Sequence, residues 1–373
     1  MMTPLGALAS LDLTDPNTCF NVLSHDKHQV AEGMVVESLF DQIIERIPAA
    51  VGGENVHILD VDTFVVRHPS SFKQSYAFVL SWKERKQTGL KRYLIALGKV
   101  FTTYQVEYIG GTGFRARLVR EGRPASNWEV LEDLLGTLSV RSTKVYAVDN
   151  SVRKPDRQLA SFWGYLRETY GNRLAEKVAV PRLLVNWGIQ PWFRSVWNID
   201  RVLLVGDLLW VLEAKHKFPY EHSGRLQFGL NNGEAYLIRD LVSCGINVIH
   251  TIVVKPYWDM DVGSSYLISS YNARQSAIVV GRTVGKAEIE QIIGSATACS
   301  PGHTTMTGDG KLKYKPMTAS DFGLLSNLAD PDAVARGIAQ LLEGSMENYC
   351  RDENLRAARI ACPVRREREQ PEV

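Results

Sequence analysis

The chain has 373 residues, 45% hydrophobic and 23% charged, with 43 Lys and Arg against 41 Asp and Glu and a formal net charge of +2. Its length predicts two or three domains, its composition is that of an ordinary globular protein, and its near-neutral balance excludes any argument about partners from global charge. No run approaches the roughly 20 apolar residues of a membrane span, so no membrane partner is expected, and the first 20 residues, with Asp12 and Asp15, lack the basic start and apolar core of a targeting peptide. Five cysteines (Cys19, Cys244, Cys299, Cys350, Cys362) are widely spread without metal-ligand spacing, which predicts free thiols in the cytoplasm or another reducing compartment.

Taken in chain order, residues 1–25 are rich in Thr, Pro, Asp and Asn and read as an irregular arm. Residues 29–47 place Val30, Met34, Val35, Leu39, Ile43, Ile44 and Ile47 at helical spacing. Strand-like alternation then marks 56–59, 63–66, 76–82, 92–97, 103–108 and 114–119, with Gly or charged clusters between them. Gly110-Gly111-Thr112-Gly113 reads as a hairpin turn. Residues 128–138 predict a helix and 144–148 a strand. The first 150 residues are therefore expected to form an α+β domain with an antiparallel sheet, and 149–156 reads as a linker.

Within 71–120 there are ten basic residues and two acidic ones, an excess of eight positive charges. Tyr76, Phe78, Trp82, Tyr93, Phe101, Tyr104, Tyr108 and Phe114 interleave with them. A basic sheet with exposed aromatics suits phosphate contacts and base stacking. Lys83, Arg85 and Lys86 in a loop, Lys91, Arg92, and Arg115 with Arg117 on one strand face are the candidate nucleic-acid contacts, joined by Lys217 further on. The bland alternative is a solvated outer face with the aromatics in the core.

A second domain is expected over 151–295. Leu159, Phe162, Trp163, Leu166 and Tyr170 share a helical face, and 174–187 continues helically until Gly188, although Pro181 should interrupt it. Two apolar strands follow, joined by Gly206-Asp207, a Gly-first pair suited to a two-residue type II′ hairpin. With that loop Val205 pairs with Leu208, and Asp200 falls opposite Glu213. Lys215, two residues on, points to the same face. Two adjacent carboxylates on apolar strands repel and are costly to desolvate. A divalent cation between them removes that cost, and Mg²⁺ (or Mn²⁺) is commonly held by one or two carboxylates with water and phosphate. The alternative is an interior ion pair in which Lys215 neutralises Glu213. Beyond the hairpin, 225–244 reads as a helix, 248–254 as a buried strand, 276–280 as a strand and 286–293 as a short helix. Residues 296–325 read as a loop, 330–346 as a helix, and the rest, to 373, as a polar tail. The order implies an α/β fold whose second domain has a mixed sheet flanked by helices.

Asp200, then Glu213-Ala214-Lys215, on a strand hairpin after a helical segment, resembles the PD-(D/E)xK nuclease superfamily, with restriction-endonuclease-like and Holliday-junction-resolvase-like domains nearest. The likeness covers about residues 155–256. It implies a restriction-endonuclease-like domain and a metal-dependent endonuclease that hydrolyses phosphodiester bonds, in DNA more than RNA, in restriction, defence or recombination, with homodimers cutting both strands. Asp200, Glu213 and the Ala214 carbonyl would hold Mg²⁺ and Lys215 would act on the attacking water or the phosphate. Glu176, with Glu168 as fallback, would be the helical acid, and Gln227 the glutamine of the following helix. Ile199 stands where the name-giving proline would be, and no tyrosine follows Gln227 at the family's spacing. Two other readings stay open: a non-catalytic nucleic-acid-binding protein on a nuclease-like scaffold, and an interaction protein whose cluster is structural.

Overall fold

The structure, a computed structural model, describes residues 1–25, 28–52, 55–68, 71–82, 87–139, 156–193, 195–259, 262–299 and 312–362. It is a mixed α/β protein. The N-terminal arm is not wholly irregular. Asp15 accepts hydrogen bonds from the Asn17 and Thr18 amides and Pro16 opens the helix α1 (Pro16–Leu23), a cap and a first-turn proline that together satisfy orphan amides. The expected amphipathic helix is present as α2 (His28–Ile44). Its Val35, Leu39, Phe40 and Ile43 are buried.

The strands β1 (Val56–Leu59), β2 (Val61–His68) and β3 (Ser71–Ser81) follow. Residues 90–97, expected to include a strand, form the helix α3 (Leu90–Leu97). Leu90, Tyr93, Leu94 and Leu97 repeat at three and four residues, and three of them are buried, so the helical period wins over the alternation that 92–97 also offers. The consequence is topological. A helical crossover lets β4 (Thr102–Tyr108) lie parallel to β3, so the expected antiparallel sheet is mixed. β5 (Phe114–Arg120) returns antiparallel to β4, and α4 (Leu131–Leu138) ends this part. The expected strand at 144–148 and most of the linker lie outside the described residues.

α5 (Asp156–Tyr170) opens the second half. The helical path then runs through Ile189: a wide π-type turn at Ala175–Ala179, an α turn at Val180–Leu183 and a second π-type stretch at Leu184–Ile189. Pro181 sits at the start of the α turn and does not end the path, and neither does Gly188. β6 (Val196–Ile199), β7 (Arg201–Val205) and β8 (Leu208–Lys217) follow. Residues 225–244, expected as one helix, are β9 (Arg225–Asn231) and then α6 (Asn232–Ser243). Asn231 caps α6 by accepting the Gly233 amide at 2.8 Å, and Gly229 lets β9 pass against the Tyr314 ring. β10 (Asn247–Val254), β11 (Ile278–Val284) and α7 (Lys286–Gly294) match the expected strand, strand and helix. Residues 296–325, expected as a loop, contain β12 (Lys313–Thr318) and β13 (Gly323–Asn327). α8 (Pro331–Glu343) and α9 (Asp352–Ala358) close the described chain.

Two larger sheets result, ordered β6-β2-β3-β4-β5 and β13-β11-β10-β8-β7-β1. Strand membership crosses residue 150 in both directions, since β1 pairs with β7 and β6 pairs with β2. In the second sheet β8 and β10 are parallel and their neighbours antiparallel. One face carries Leu203, Trp210 and Leu212 against α2 and α8. The other carries Val202, Leu204, Leu209 and Val211 against α6 and α7. β9 and β12 pair in a smaller sheet at its side. No described helix is long and apolar enough to cross a membrane.

Candidate functional site

The β7–β8 hairpin has the register that its turn dictates. Val205 pairs with Leu208 and Arg201 with Leu212, and Gly206 has φ +56°. Only the first turn residue is left-handed, as a type II′ connection requires. Asp200 lies one residue before β7, and its Oδ2 accepts the Ala214 amide at 2.9 Å. Side-chain alternation along β8 puts Glu213, Lys215 and Lys217 on the face of Leu209 and Val211, under α6.

Asp200 and Glu213 are buried. Burial raises the Asp200 carboxyl above the usual carboxylate range, and the charge of Glu37 adds to the rise. Burial, then the charge of Asp200, pushes the Glu213 carboxyl up to about 8, against the opposing pull of Lys215. Lys215 is in direct contact with Glu213 Oε1 and lies 3.6 Å from Glu234 Oε1. Burial works against its charge, but Glu213, Glu234 and Asp200 outweigh it and hold the ammonium well above the ordinary lysine range. The Glu213 carbonyl accepts the Thr251 hydroxyl at 2.8 Å, which ties β8 to β10.

Two acids whose charges act on this cluster were not expected from the sequence. Glu234 lies in the first turn of α6, inside the segment expected as one helix; recognising Asn231 as a cap would have marked where that helix starts. Glu37, on α2, is the acid whose charge most raises Asp200. It belongs to a helix far earlier in the sequence and held against the hairpin by the sheet. The expected helical acid, Glu176, instead sits in the wide turn at Ala175–Ala179, beside Lys177, which pairs with Asp60. Gln227 is not on a helix: it lies on β9, paired with Thr318 and Tyr220. The Ala214 amide serves the Asp200 carboxylate.

His250, opposite Glu213 in the β8–β10 register, is fully buried, and its Nδ1 lies 3.7 Å from Glu234 Oε1. Burial depresses its pKa to about 3, so it is neutral. His216, on the opposite face, contacts Ser264 Oγ at 2.8 Å and Tyr266 Oη at 2.6 Å; burial keeps it neutral as well.

The basic candidates divide. Lys217, half-buried, donates to the Gly229 carbonyl at 2.6 Å. Arg92 pairs with Asp207 at 2.6 Å in the hairpin turn, and Lys91 is exposed. Arg115 and Arg117 do share a strand face: both guanidinium groups lie over Trp128, at 4.8 and 4.2 Å from its ring centre. Arg115 also pairs with Glu107, and Arg117 donates to Gln105. Lys83, Arg85 and Lys86 lie outside the described residues. The aromatic platform is not exposed as expected: Tyr76, Phe78, Tyr104 and Phe114 are buried at alternate, inward-facing positions of a covered sheet, Tyr93 is buried on α3, and Phe101 is buried just before β4.

Beside the cluster runs a cleft of about 470 Å³ lined by Asp41, Asp60, Asp62, Tyr170, Lys177 and Arg201. On its lining Arg201 pairs with Asp41 at 2.6 Å and Lys177 with Asp60, and a neighbouring small pocket that shares Arg201 and Lys177 carries the Arg182–Glu37 pair at 2.7 Å. Burial raises the Asp62 carboxyl to about 6, with Arg201 and Lys177 opposing. Among the described residues no three His, Cys, Asp or Glu side chains are grouped to hold a metal ion. Asp200 and Glu213 form a two-carboxylate set whose mutual repulsion a hard cation would relieve. All five cysteines are free. No protein-family model, curated protein or solved structure matches the chain.

Proposed function

We propose that the chain is a metal-dependent endonuclease acting on nucleic acid, DNA before RNA, with its site on the β7–β8 hairpin and a restriction-endonuclease-like core around it. The observation that carries this reading is the burial of two mutually repelling carboxylates, Asp200 and Glu213, beside Lys215. The order of elements around them also supports it: a helix, the hairpin, a second helix and a strand parallel to β8. The donor set fits Mg²⁺ or Mn²⁺, because two carboxylates leave room for water and a substrate phosphate.

Asp200 and Glu213 would hold the cation. Bound there, it would lower the pKa of water and neutralise charge on the phosphoryl oxygens. Lys215, kept protonated by its carboxylate neighbours, places a positive charge where the phosphorane gathers negative charge. The backbone amide of Ala214 fixes the Asp200 carboxylate and leaves its other oxygen for the cation. The exposed Lys91 and the Arg115–Trp128–Arg117 stack offer backbone contacts to a nucleic-acid strand.

The test is cleavage of supercoiled plasmid and of single-stranded DNA with Mg²⁺, Mn²⁺ or EDTA, comparing wild type with Glu213→Gln and Lys215→Ala. Metal-dependent cutting that falls by about a hundredfold or more in both variants, with circular dichroism showing each folded, is the expected result. A folded wild type that cuts neither DNA nor single-stranded RNA overturns it. The second reading is a non-catalytic nucleic-acid-binding protein; the direct contact of Lys215 with Glu213, which engages one of the two carboxylates, favours it. It predicts gel-shift binding without turnover.

A further inference from the structure

The cluster holds an acceptor that the proposed reaction does not use. Glu234 Oε1 is buried without a hydrogen-bond partner, 3.6 Å from Lys215 and 3.7 Å from His250. That oxygen is in ion-pair range of the Lys215 ammonium but accepts no hydrogen bond from it. Its position on the first turn of α6, fixed by the Asn231 cap, keeps it there. Neither His250 ring nitrogen has a hydrogen-bond partner either, and the ring is fully buried.

Lys215 stands between two carboxylates and touches only one of them. Its contact with Glu213 uses a carboxylate that a divalent cation would also need. The ammonium and the cation therefore compete for Glu213 unless Lys215 has another place to go. Glu234 is within about a rotamer change of it, on an element that carries neither proposed cation ligand. Lysine's flexible stem and three donors allow such an exchange without backbone movement.

Resting on the two-carboxylate reading above, we infer that Glu234 is a positioning residue that receives the Lys215 ammonium when a cation takes Glu213. The exchange keeps Lys215 charged and aimed at the site, and it removes the ammonium as a competitor for Glu213. Lys217 does not serve this role, because its ammonium is held by the Gly229 carbonyl.

The test is Mn²⁺ binding, measured by calorimetry on the full chain without nucleic acid, in wild type, Glu234→Gln, Lys215→Gln and the double variant. Glu234→Gln should weaken Mn²⁺ by about tenfold or more in the presence of Lys215, and by less than about threefold in the Lys215→Gln background, a coupling expected only if the two side chains trade places. An equal loss in both backgrounds would mean that Glu234 acts only as a distant charge, and would overturn the inference. No Mn²⁺ uptake by wild type would overturn the two-carboxylate reading, and this inference with it. If Lys215→Gln does not fold, a crystal structure of wild type grown with Mn²⁺ decides. Lys215 Nζ hydrogen-bonded to Glu234 supports the exchange, and Nζ still on Glu213 overturns it.

Discussion

Two charged regions lie side by side in this molecule and differ in how their acids are matched. In and beside the cleft, Arg201, Lys177 and Arg182 each meet their own acid, at Asp41, Asp60 and Glu37, and Asp62 is left over. In the hairpin cluster three buried carboxylates, Asp200, Glu213 and Glu234, share the ammonium of Lys215, and the charge of Lys217, held at the Gly229 carbonyl, also acts on Glu213 and Glu234. One-to-one pairing is how a fold neutralises charges it must bury. Where carboxylates share a base, burial first and the charge of Asp200 second raise the Glu213 carboxyl. The difference separates charges matched one to one from carboxylates that share a base.

The sharpest way to break that comparison is to remove the shared ammonium. Lys215→Ala leaves the carboxylates without their partner and should cost about 3–5 kcal/mol in chemical denaturation without divalent cation. A loss under about 1 kcal/mol would show that the cluster is better hydrated than its burial indicates.

The neutral His250 gives the next effect. Its pKa is depressed from 6.5 to about 3, so the unfolded chain binds its proton first. The stability it contributes is complete above about pH 6.5 and is lost as pH falls toward 3. His250→Asn should remove on the order of 2–3 kcal/mol of the acid-side slope, read as urea stability at pH 7 and pH 4. An unchanged slope would mean that the ring is reached by water.

Within the cleft, Lys177→Met should cost roughly 1–2 kcal/mol, because a half-buried pair loses one member. In the hairpin cluster the opposite sign is expected. Glu213→Gln removes an excess anion and should leave stability unchanged or raise it by about 1 kcal/mol at pH 8. The wild-type carboxyl is raised from 4.5 to about 8, so the fold favours its protonated form and stability falls as pH rises through that window. Thermal melts from pH 5 to pH 9 should therefore flatten in the variant; equal slopes would remove Glu213 as their source. The smallest effect belongs to the exposed Arg92–Asp207 pair, where Arg92→Ala should change stability by less than about 0.5 kcal/mol, and less still at high salt.

What the sequence legibly carried was local. A two-residue Gly-Asp loop fixes hairpin register within its own few residues, so the face shared by Asp200, Glu213 and Lys215 follows from the turn chemistry alone. The long apolar runs of α2 and β10 were equally plain, since period and length both spoke. Where two periods coexist in a short window, as at 90–97, or a glycine-bearing strand runs directly into a capped helix, as at 225–244, local pattern cannot choose. Packing chose there: α3 turns a meander into a parallel crossover, and β9 finds its partner in β12, from a stretch that reads as loop. The same limit applies to the site. Glu37 and Glu234 reach the hairpin only because α2 and α6 pack near it, from segments whose sequence says nothing of one another. The sequence by itself determined which carboxylates and lysine share a strand face, because side-chain alternation is a property of the chain. Only the tertiary structure decided how many acids surround that lysine, because burial and long-range packing bring charges together regardless of their order in the sequence.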